Sequence, residues 1–210
     1  MGRYLGSSCK YCRREGMKLM LKGIRCETAK CPIEKKQRNL SPGMHSWRRG
    51  RASEYGIRLR EKQKVKRYYG VFERQFMRYF RRAERMKGNT GENLLQLLER
   101  RLDNVVYKLD FAPSRKAARQ LIAHGHIYVN GHKIDVGDYG VKIGDKITVK
   151  GAEKSVKRVK QQLESNPSFA AQAWLQLSRE RPEATVVALP CRADVQIPVE
   201  EQLVVEYCSR

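Results

Sequence analysis

Four cysteines near the start of the chain constrain its fold more than any other feature. Cys9 and Cys12 form a C-x2-C pair, and Cys26 and Cys31 form a C-x4-C pair after thirteen intervening residues. Two close pairs separated by a loop can direct four sulfurs at one point, as a tetrahedral all-thiolate metal site requires. Thiolates favour zinc, and an iron–sulfur cluster is the main competitor. We predict one structural zinc ion, with no coordination position left open for catalysis.

Disulfide bonds are the alternative chemistry for these cysteines. Disulfides belong to oxidising compartments, and no signal-peptide pattern precedes the cluster. We therefore expect reduced thiols and a cytoplasmic location. Cys191 and Cys208 lie far from the cluster, and we expect them to be reduced and incidental.

The positive charge of the chain is large and unevenly distributed. The sequence has 44 Lys and Arg against 22 Asp and Glu, a net charge of +22. Residues 1–90 hold 26 basic and 7 acidic residues (net +19), whereas residues 91–210 hold 18 and 15 (net +3). Such self-repulsion opposes compaction unless a polyanion neutralises it, which indicates nucleic acid as the partner. An anionic membrane is the alternative, but no apolar run approaches the roughly 20 residues that span a bilayer.

Residues 36–98 predict a basic connector followed by two helices. Residues 36–53 lack periodicity and hold Arg48, Arg49 and Arg51, so we expect an extended segment. A helix should begin after its N-cap Ser53 and end at Gly70. A second helix covers about 72–86. One face is apolar, and the other sides carry five arginines: Arg74, Arg78, Arg81, Arg82 and Arg85. Such a helix fits between a protein core and RNA phosphates.

The rest of the chain predicts further helices and a small antiparallel sheet. A leucine-rich helix capped by Thr90 should cover about 92–109, with three basic residues outside, Arg100, Arg101 and Lys108. Ser114 should cap a shorter helix ending at Gly125, again with three basic residues outside, Arg115, Lys116 and Arg119.

Short strands and two more helices should follow. The dipeptide Asn130-Gly131 predicts a tight hairpin between strands at 127–129 and 133–134. We expect further strands at Val141, 147–149, 174–177 and 186–189. An amphipathic helix should cover 153–164, and a short helix should follow Pro198.

No combination of histidines and carboxylates in the sequence indicates an active site. His124 and His126 could form a metal pair, but their position at a helix end favours a cap and an RNA contact. Asp103 beside Asn104 could resemble a catalytic carboxylate. Without a partner carboxylate, a nucleophile elbow or a phosphate-binding loop, we interpret them as a buried or interhelical hydrogen-bonding pair. We predict that the chain is not an enzyme and has no small-molecule substrate.

Long motifs throughout the chain resemble the bacterial ribosomal protein S4 family of the small subunit. They include LREKQKV at 59–65, KGNTGENL at 87–94, RLDNVVY at 101–107, HGHI at 124–127 and EQLVVEY at 201–207. The fold expected is α+β. It has a zinc-bearing N-terminal segment (1–45), an all-helical domain (46–98, joined by a C-terminal helix at 199–210) and a helix-plus-small-antiparallel-sheet RNA-binding domain (99–198). Some members of the family have the four cysteines and others lack them, so the zinc prediction rests on the cysteines themselves.

The resemblance also implies a function and partners. It implies early binding to a junction in the 5′ domain of small-subunit ribosomal RNA, which nucleates subunit assembly. Ribosomal protein S5 and other small-subunit proteins are implied neighbours. Arg48, Arg49 and Arg51 would line the mRNA entrance and contribute to translational accuracy. The predicted ribosomal RNA contacts are Arg13, Arg14, Arg58, Lys62, Lys66, Arg74, Arg78, Arg81, Arg82, Arg115, Lys116, Arg119, His124 and His126.

Two rival functions use the same RNA-binding module. One is an RNA-modifying enzyme such as a pseudouridine synthase, which needs a separate catalytic domain. Residues 1–98 are too basic and helical for that domain, and residues 150–210 are too short. The other is a free-standing RNA-binding stress factor, which would not need the cysteine loop and the basic connector.

Overall fold

In the computed structural model of the chain, eight α-helices and one five-stranded antiparallel sheet form an α+β fold in the residues described. Those residues are 4–35, 38–46, 53–151, 153–166, 169, 171–178 and 181–209. The chain divides into two units, residues 1–94 with 196–210, and residues 95–195. Within the described ranges, no helix is long and apolar enough to cross a membrane.

The first unit is helical. It contains α1 (Cys9–Glu15), α2 (Glu54–Tyr68), α3 (Glu73–Glu84), the start of α4 (Thr90–Glu99) and α8 (Glu201–Cys208). Helix α8 packs on α2, and the predicted short helix after Pro198 is therefore confirmed. Ser53 Oγ accepts a hydrogen bond from Gly56 N at 3.1 Å, which confirms the predicted N-cap of α2.

Helix α3 contributes one apolar face to the core of the first unit. Phe76, Phe80 and Ala83 are spaced at i, i+4 and i+7, and all three are buried. They form an apolar core together with Val65 and Tyr69 at the end of α2. Because one face of α3 is fixed in this core, its remaining sides must face outward.

The second unit combines helices and the sheet. Helices α5 (Leu102–Lys108), α6 (Arg115–Ala123) and α7 (Glu153–Ser165) accompany five strands in the spatial order β2-β1-β3-β5-β4. The strands are β1 (Ile127–Val129), β2 (His132–Ile134), β3 (Lys146–Val149), β4 (Leu175–Ser178) and β5 (Glu183–Val186). Their apolar side chains share one core with α5, α6 and α7.

Three local signals in this unit are confirmed. Asn130 and Gly131 both have positive φ, 52° and 83°, as a two-residue type I′ hairpin requires. Gly125 adopts φ 74° directly after α6, where the left-handed conformation ends the helix. Ser114 Oγ accepts a hydrogen bond from Ala117 N at 3.3 Å, so Ser114 caps α6.

The single leucine-rich helix predicted over 92–109 is wrong, because it is two helices. Arg101 is extended, with φ −65° and ψ 134°, and pairs with Gly140 in an isolated bridge. The apolar stripe continues through this break, so periodicity did not reveal it. The start also differs from the prediction: Asn89 Oδ1, not Thr90, accepts a hydrogen bond from Gly91 N, at 2.9 Å.

The prediction that Arg101 and Lys108 lie outside is also wrong. Arg101 is fully buried, and its guanidinium donates to Asp103 Oδ1 and Oδ2 at 3.1 and 2.8 Å. A further nitrogen of Arg101 lies 2.5 Å from Asp138 Oδ1. Lys108 is buried and donates to Asp194 O at 3.4 Å. Burial lowers the pKa of the Lys108 ammonium because it disfavours the charged form.

Two strand predictions need correction. Val141 is buried in a loop and is not in a strand; its N–H donates to Arg100 O at 3.0 Å. The last strand covers Glu183–Val186 rather than 186–189, because Ala184 and Val186 alternate inward against β4. Val187 and Leu189 extend the apolar run in the sequence, but both are exposed.

Removing the Asp103 carboxylate should destabilise the second unit. Asp103 is 1% exposed and neutralises a fully buried guanidinium, so Asp103→Ala leaves the more exposed Asp138 as the remaining carboxylate beside that charge. We expect the free energy of unfolding to fall by about 3–5 kcal/mol. Urea denaturation followed by fluorescence measures the loss, and the exposed Asp135→Ala variant should change stability by less than about 0.5 kcal/mol. Equal stability of the two variants would contradict this role of Asp103.

Candidate nucleic-acid interface and metal centre

Helix α3 presents a set of arginines that no acidic group among the described residues neutralises. All five predicted arginines of this helix region are exposed: Arg74, Arg78, Arg81, Arg82 and Arg85. None of them forms an ion pair or hydrogen bond with another residue that the structure describes. Guanidinium groups in this state are available to bind phosphate oxygens.

The basic residues of α2 are in a different state, because carboxylates already contact them. Arg58 contacts Glu206 at 2.5 Å and Glu54 at 2.9 Å. Lys62 is buried and pairs with Glu73, which Lys66 also contacts at 2.8 Å. Burial acts to raise the pKa of the Glu73 carboxyl, but the hydrogen bonds from the two lysines outweigh it, so this pKa is lowered. The RNA contacts predicted for Arg58, Lys62 and Lys66 stay predictions, and in this structure these side chains have ion-pair roles.

The three basic residues of α6 differ in their surroundings. Lys116 is exposed, as predicted. Arg119 is partly exposed and donates through Nε and Nη2 to Asp103 Oδ2, at 3.0 and 2.5 Å. Asp103 therefore holds Arg119 in one orientation at the edge of the unit. This geometry confirms that Asp103 is part of a buried hydrogen-bonding group.

Arg115 was predicted to lie on the outside of the fold, and this prediction is wrong. It is buried, its Nε donates to Asn104 Oδ1 at 2.8 Å, and its guanidinium carbon lies 4.5 Å from the centre of the Tyr107 ring. Asn104 Nδ2 donates in turn to Glu99 Oε2 at 2.5 Å. Arg115 thus links α6 to α5, which the sequence spacing alone did not show.

The two histidines lie near each other at the end of α6. Their ring centres are 6.2 Å apart, and His124 is exposed. The His126 Nε2 atom lies 3.3 Å from Ser155 Oγ, so a hydroxyl group of α7 already contacts this ring. The arrangement leaves His124 as the more accessible of the two for an RNA contact.

Helix α7 provides a basic surface that was not among the predicted contacts. Its exposed side carries four residues, Lys154, Lys157, Arg158 and Lys160, while Val159 and Leu163 face the core. No ion pair joins these four to an acidic group among the residues described. Their spacing within one amphipathic helix was the signal that could have identified them.

The four predicted metal ligands lie around one small cavity. Cys9, Cys12, Cys26 and Cys31 all line it, together with Ser8 and Lys22, and its volume is about 10 Å³. None of the four is in a disulfide, and Cys12, Cys26 and Cys31 are buried. Among the described residues, no three His, Cys, Asp or Glu side chains are already arranged as a closed metal site. The chain therefore brings the four sulfurs to one place without fixing their coordination geometry.

The electrostatics of the cysteines favour a cation. Burial raises the pKa of the Cys12 and Cys26 thiols, and charge on the neighbouring cysteines raises both further. Backbone N–H groups act in the opposite direction, including Lys22 N, which lies 3.4 Å from Cys26 Sγ. Thiols in this environment keep their protons unless a positive charge is added, and a divalent metal would supply that charge.

Two further predicted sets of RNA contacts come from the first 51 residues of the sequence. Arg13 and Arg14 extend from α1 towards the loop at 40–42, where their nearest backbone oxygens, Leu40 O and Pro42 O, are both 3.5 Å away. Arg48, Arg49 and Arg51 of the connector lie outside the described residues.

Sequence comparisons relate the whole chain to one group of proteins. A profile described as the ribosomal protein S4/S9 N-terminal domain matches residues 3–99, and one described as the S4 domain matches residues 100–147. The small ribosomal subunit proteins uS4 of Halothermothrix orenii and of a Thermoanaerobacter species are each 53% identical over 210 residues, covering 100% of both chains. That of Pelotomaculum thermopropionicum is 51% identical over the same length and coverage.

Proposed function

The chain belongs to the ribosomal protein S4 family, and from that premise we propose that it is a structural constituent of the small ribosomal subunit that binds its ribosomal RNA. The observation that carries this proposal is the row of exposed arginines on α3, which has no acidic partner in the described parts of the chain. The family consists of ribosomal structural proteins, and the chain is not an enzyme. As a ribosomal protein it is part of the ribosome in the cytoplasm.

Folded RNA fits these surfaces better than duplex DNA. The arginines project from rigid helices whose other faces are fixed in a core, so they suit a surface of phosphates with a defined shape. Arg119 is held by Asp103, which adds a second preoriented guanidinium in the other unit. We propose that the RNA is a helix junction in the 5′ domain, and that binding there nucleates subunit assembly.

The two rival functions are less well supported. The similarity to small ribosomal subunit proteins extends over the whole of the chain and of its relatives, including the cysteine segment and the connector. A modifying enzyme or a free-standing RNA-binding factor would share only the S4 domain. We further propose ribosomal protein S5 as a neighbour in the subunit, because the family resemblance implies it.

The cysteine segment is proposed to hold one structural zinc ion. Its support is the position of four thiols around a single small cavity, together with the burial that raises the pKa of the Cys12 and Cys26 thiols. Zinc would stabilise residues 1–45, where few other apolar side chains are available to form a core. The four thiolates would complete its coordination, which leaves the ion a structural rather than a catalytic role.

Replacing Arg78 with Ala should weaken RNA binding through loss of one phosphate contact. Each such contact contributes about 0.7–0.9 to the slope of log K against log salt concentration, so the slope should fall by about that amount. Filter binding of a 5′-domain transcript between low and moderate salt measures it. The control is Arg181→Ala, an exposed arginine in the slightly acidic end of the chain, which should leave the slope unchanged. Salt-independent binding by the unaltered protein would contradict the proposed function.

Cys26→Ser should remove zinc and loosen residues 1–45 without unfolding the rest. The sheet core contains none of these cysteines, and the buried residues of α3 are Phe76, Phe80 and Ala83, so both regions should remain folded. Metal analysis and hydrogen exchange of the purified protein measure the two effects. Cys191→Ser, an exposed cysteine remote in sequence, should retain zinc and normal exchange. Unaltered protein that contains no zinc, or contains iron with sulfide, would contradict the proposed metal.

Changing Arg48, Arg49 and Arg51 together to Ala should affect translation more than assembly. We propose that these residues line the mRNA entrance and contact phosphates of the single strand without reading its sequence. Subunit occupancy should stay nearly normal, while translation of a hairpin-bearing message slows or loses accuracy. The comparison is made in one strain, with both quantities measured. If occupancy collapses and the surviving subunits translate normally, the connector is an assembly element instead.

A further inference from the structure

A cleft in the first unit, formed by α2, α3 and α8, is not used by any function described so far. Tyr55 and Lys62 of α2, Glu73 and Met77 of α3, and Tyr207 and Cys208 of α8 line it. Its volume is about 350 Å³, within the range of about 300–1,000 Å³ typical of small-ligand sites. The lining combines aromatic rings, sulfur atoms and a single pair of opposite charges.

Two tyrosines make one wall of the cleft. The rings of Tyr55 and Tyr207 are 5.4 Å apart between centres, tilted by 45°, and their hydroxyl oxygens are 3.0 Å apart. The hydrogen bond with Tyr55 raises the pKa of Tyr207 to about 12, so this hydroxyl remains neutral at physiological pH. Tyr55 is 56% exposed, although its hydroxyl group is hydrogen-bonded to Tyr207. The cleft therefore presents an accessible and preoriented aromatic face.

A hydrogen-bond donor and an acceptor lie beside this face. The Lys62 ammonium is 4.8 Å from the centre of the Tyr207 ring and pairs with the Glu73 carboxylate. Carboxylate oxygens have lone pairs beyond those used by the lysines, so Glu73 can accept another hydrogen bond. Every RNA base carries a donor next to an acceptor on its edge. Met77 adds a polarisable apolar contact suited to a flat ring.

The cleft is continuous along α3 with the exposed arginines. Glu73, Met77 and Arg81 are spaced at i, i+4 and i+8, so they lie on one side of the helix. Arg78 follows Met77 directly and is also exposed. A nucleotide whose base entered the cleft would therefore place its neighbouring phosphates near unneutralised guanidinium groups.

We propose that this cleft binds one unpaired RNA base, which stacks on the Tyr55 ring while Arg78 and Arg81 contact the adjacent phosphates. The inference rests on the proposed RNA-binding function and assigns a base-binding site within it. The charge along α3 favours a polyanion over a peptide, because Arg78 and Arg81 continue from the cleft along the helix and have no acidic partner among the described residues. Lys62 and Glu73 contact the base edge, and Tyr207 positions Tyr55 through the hydroxyl pair.

A fluorescent base tests the site in the full-length protein. The probe is a pentamer of four uridines with 2-aminopurine at the centre, and the comparison is the same pentamer with an abasic central position. The 2-aminopurine pentamer should bind about 5- to 150-fold more tightly than the abasic one, the range that base–aromatic stacking gives, and its fluorescence should be quenched. Tyr55→Ala should abolish both differences, and Tyr55→Phe should largely retain them.

The outcomes separate this proposal from the function on which it rests. Salt-dependent binding with equal affinity for the two pentamers and no quenching would overturn the base site and leave RNA binding intact. Undiminished quenching in Tyr55→Ala would place the base elsewhere and also overturn the proposal. Failure of both pentamers, and of the 5′-domain transcript, to bind at low salt would overturn the RNA-binding function itself. The comparison of the two pentamers on unaltered protein requires no variant and holds even if Tyr55→Ala misfolds.

Discussion

The scarcity of carboxylates relative to basic groups decides which cations of this protein are neutralised within its own fold. With 22 acidic residues for 44 basic ones, few carboxylates are available, and several of those that the structure describes pair with basic side chains inside the two units. Asp103 forms ion pairs with Arg101 and Arg119, and Glu73 forms ion pairs with Lys62 and Lys66. The buried carboxylate at the end of α1 serves Arg67 of α2. The arginines of α3 have no such partner in the described residues, and their charge is left for RNA.

This distribution links stability to recognition. The carboxylate that neutralises buried Arg101 also orients Arg119, so one side chain supports the core and prepares a phosphate contact. On α3, burial of Phe76 and Phe80 fixes the helix and thereby the direction of its arginines. Burial therefore fixes the backbone of α3, and Asp103 fixes the Arg119 side chain, which lowers the entropic cost of association with RNA. Residues that pack the protein and residues that contact the partner therefore depend on the same few elements.

Much of this arrangement could be predicted from the sequence, and the failures have a common cause. Amphipathic periodicity predicted α2, α3 and α7, and turn chemistry predicted the Asn130-Gly131 hairpin and the end of α6, because these signals are local. Three basic residues were wrongly predicted to be exposed: Arg101, Lys108 and Arg115. A basic residue in a sequence is expected at the surface unless its hydrogen-bond partners are known. Here the partners include Asp138, Asp194 and Asn104, respectively, none of which is adjacent in the sequence. The cleft beside Tyr55 was missed for the same reason, since it joins residues 152 positions apart.

The α3 arginines, which have no acidic partner among the described residues, should be accessible in the isolated protein and bound to phosphates in the subunit. Arginine modification by phenylglyoxal, read by mass spectrometry, compares the protein alone with assembled small subunits. The account predicts that Arg74, Arg78, Arg81, Arg82 and Arg85 react readily in the free protein and are protected in the subunit. Buried Arg101 should be unreactive in both states and serves as the internal reference. Equal reactivity of the five arginines in free protein and subunit would contradict the account.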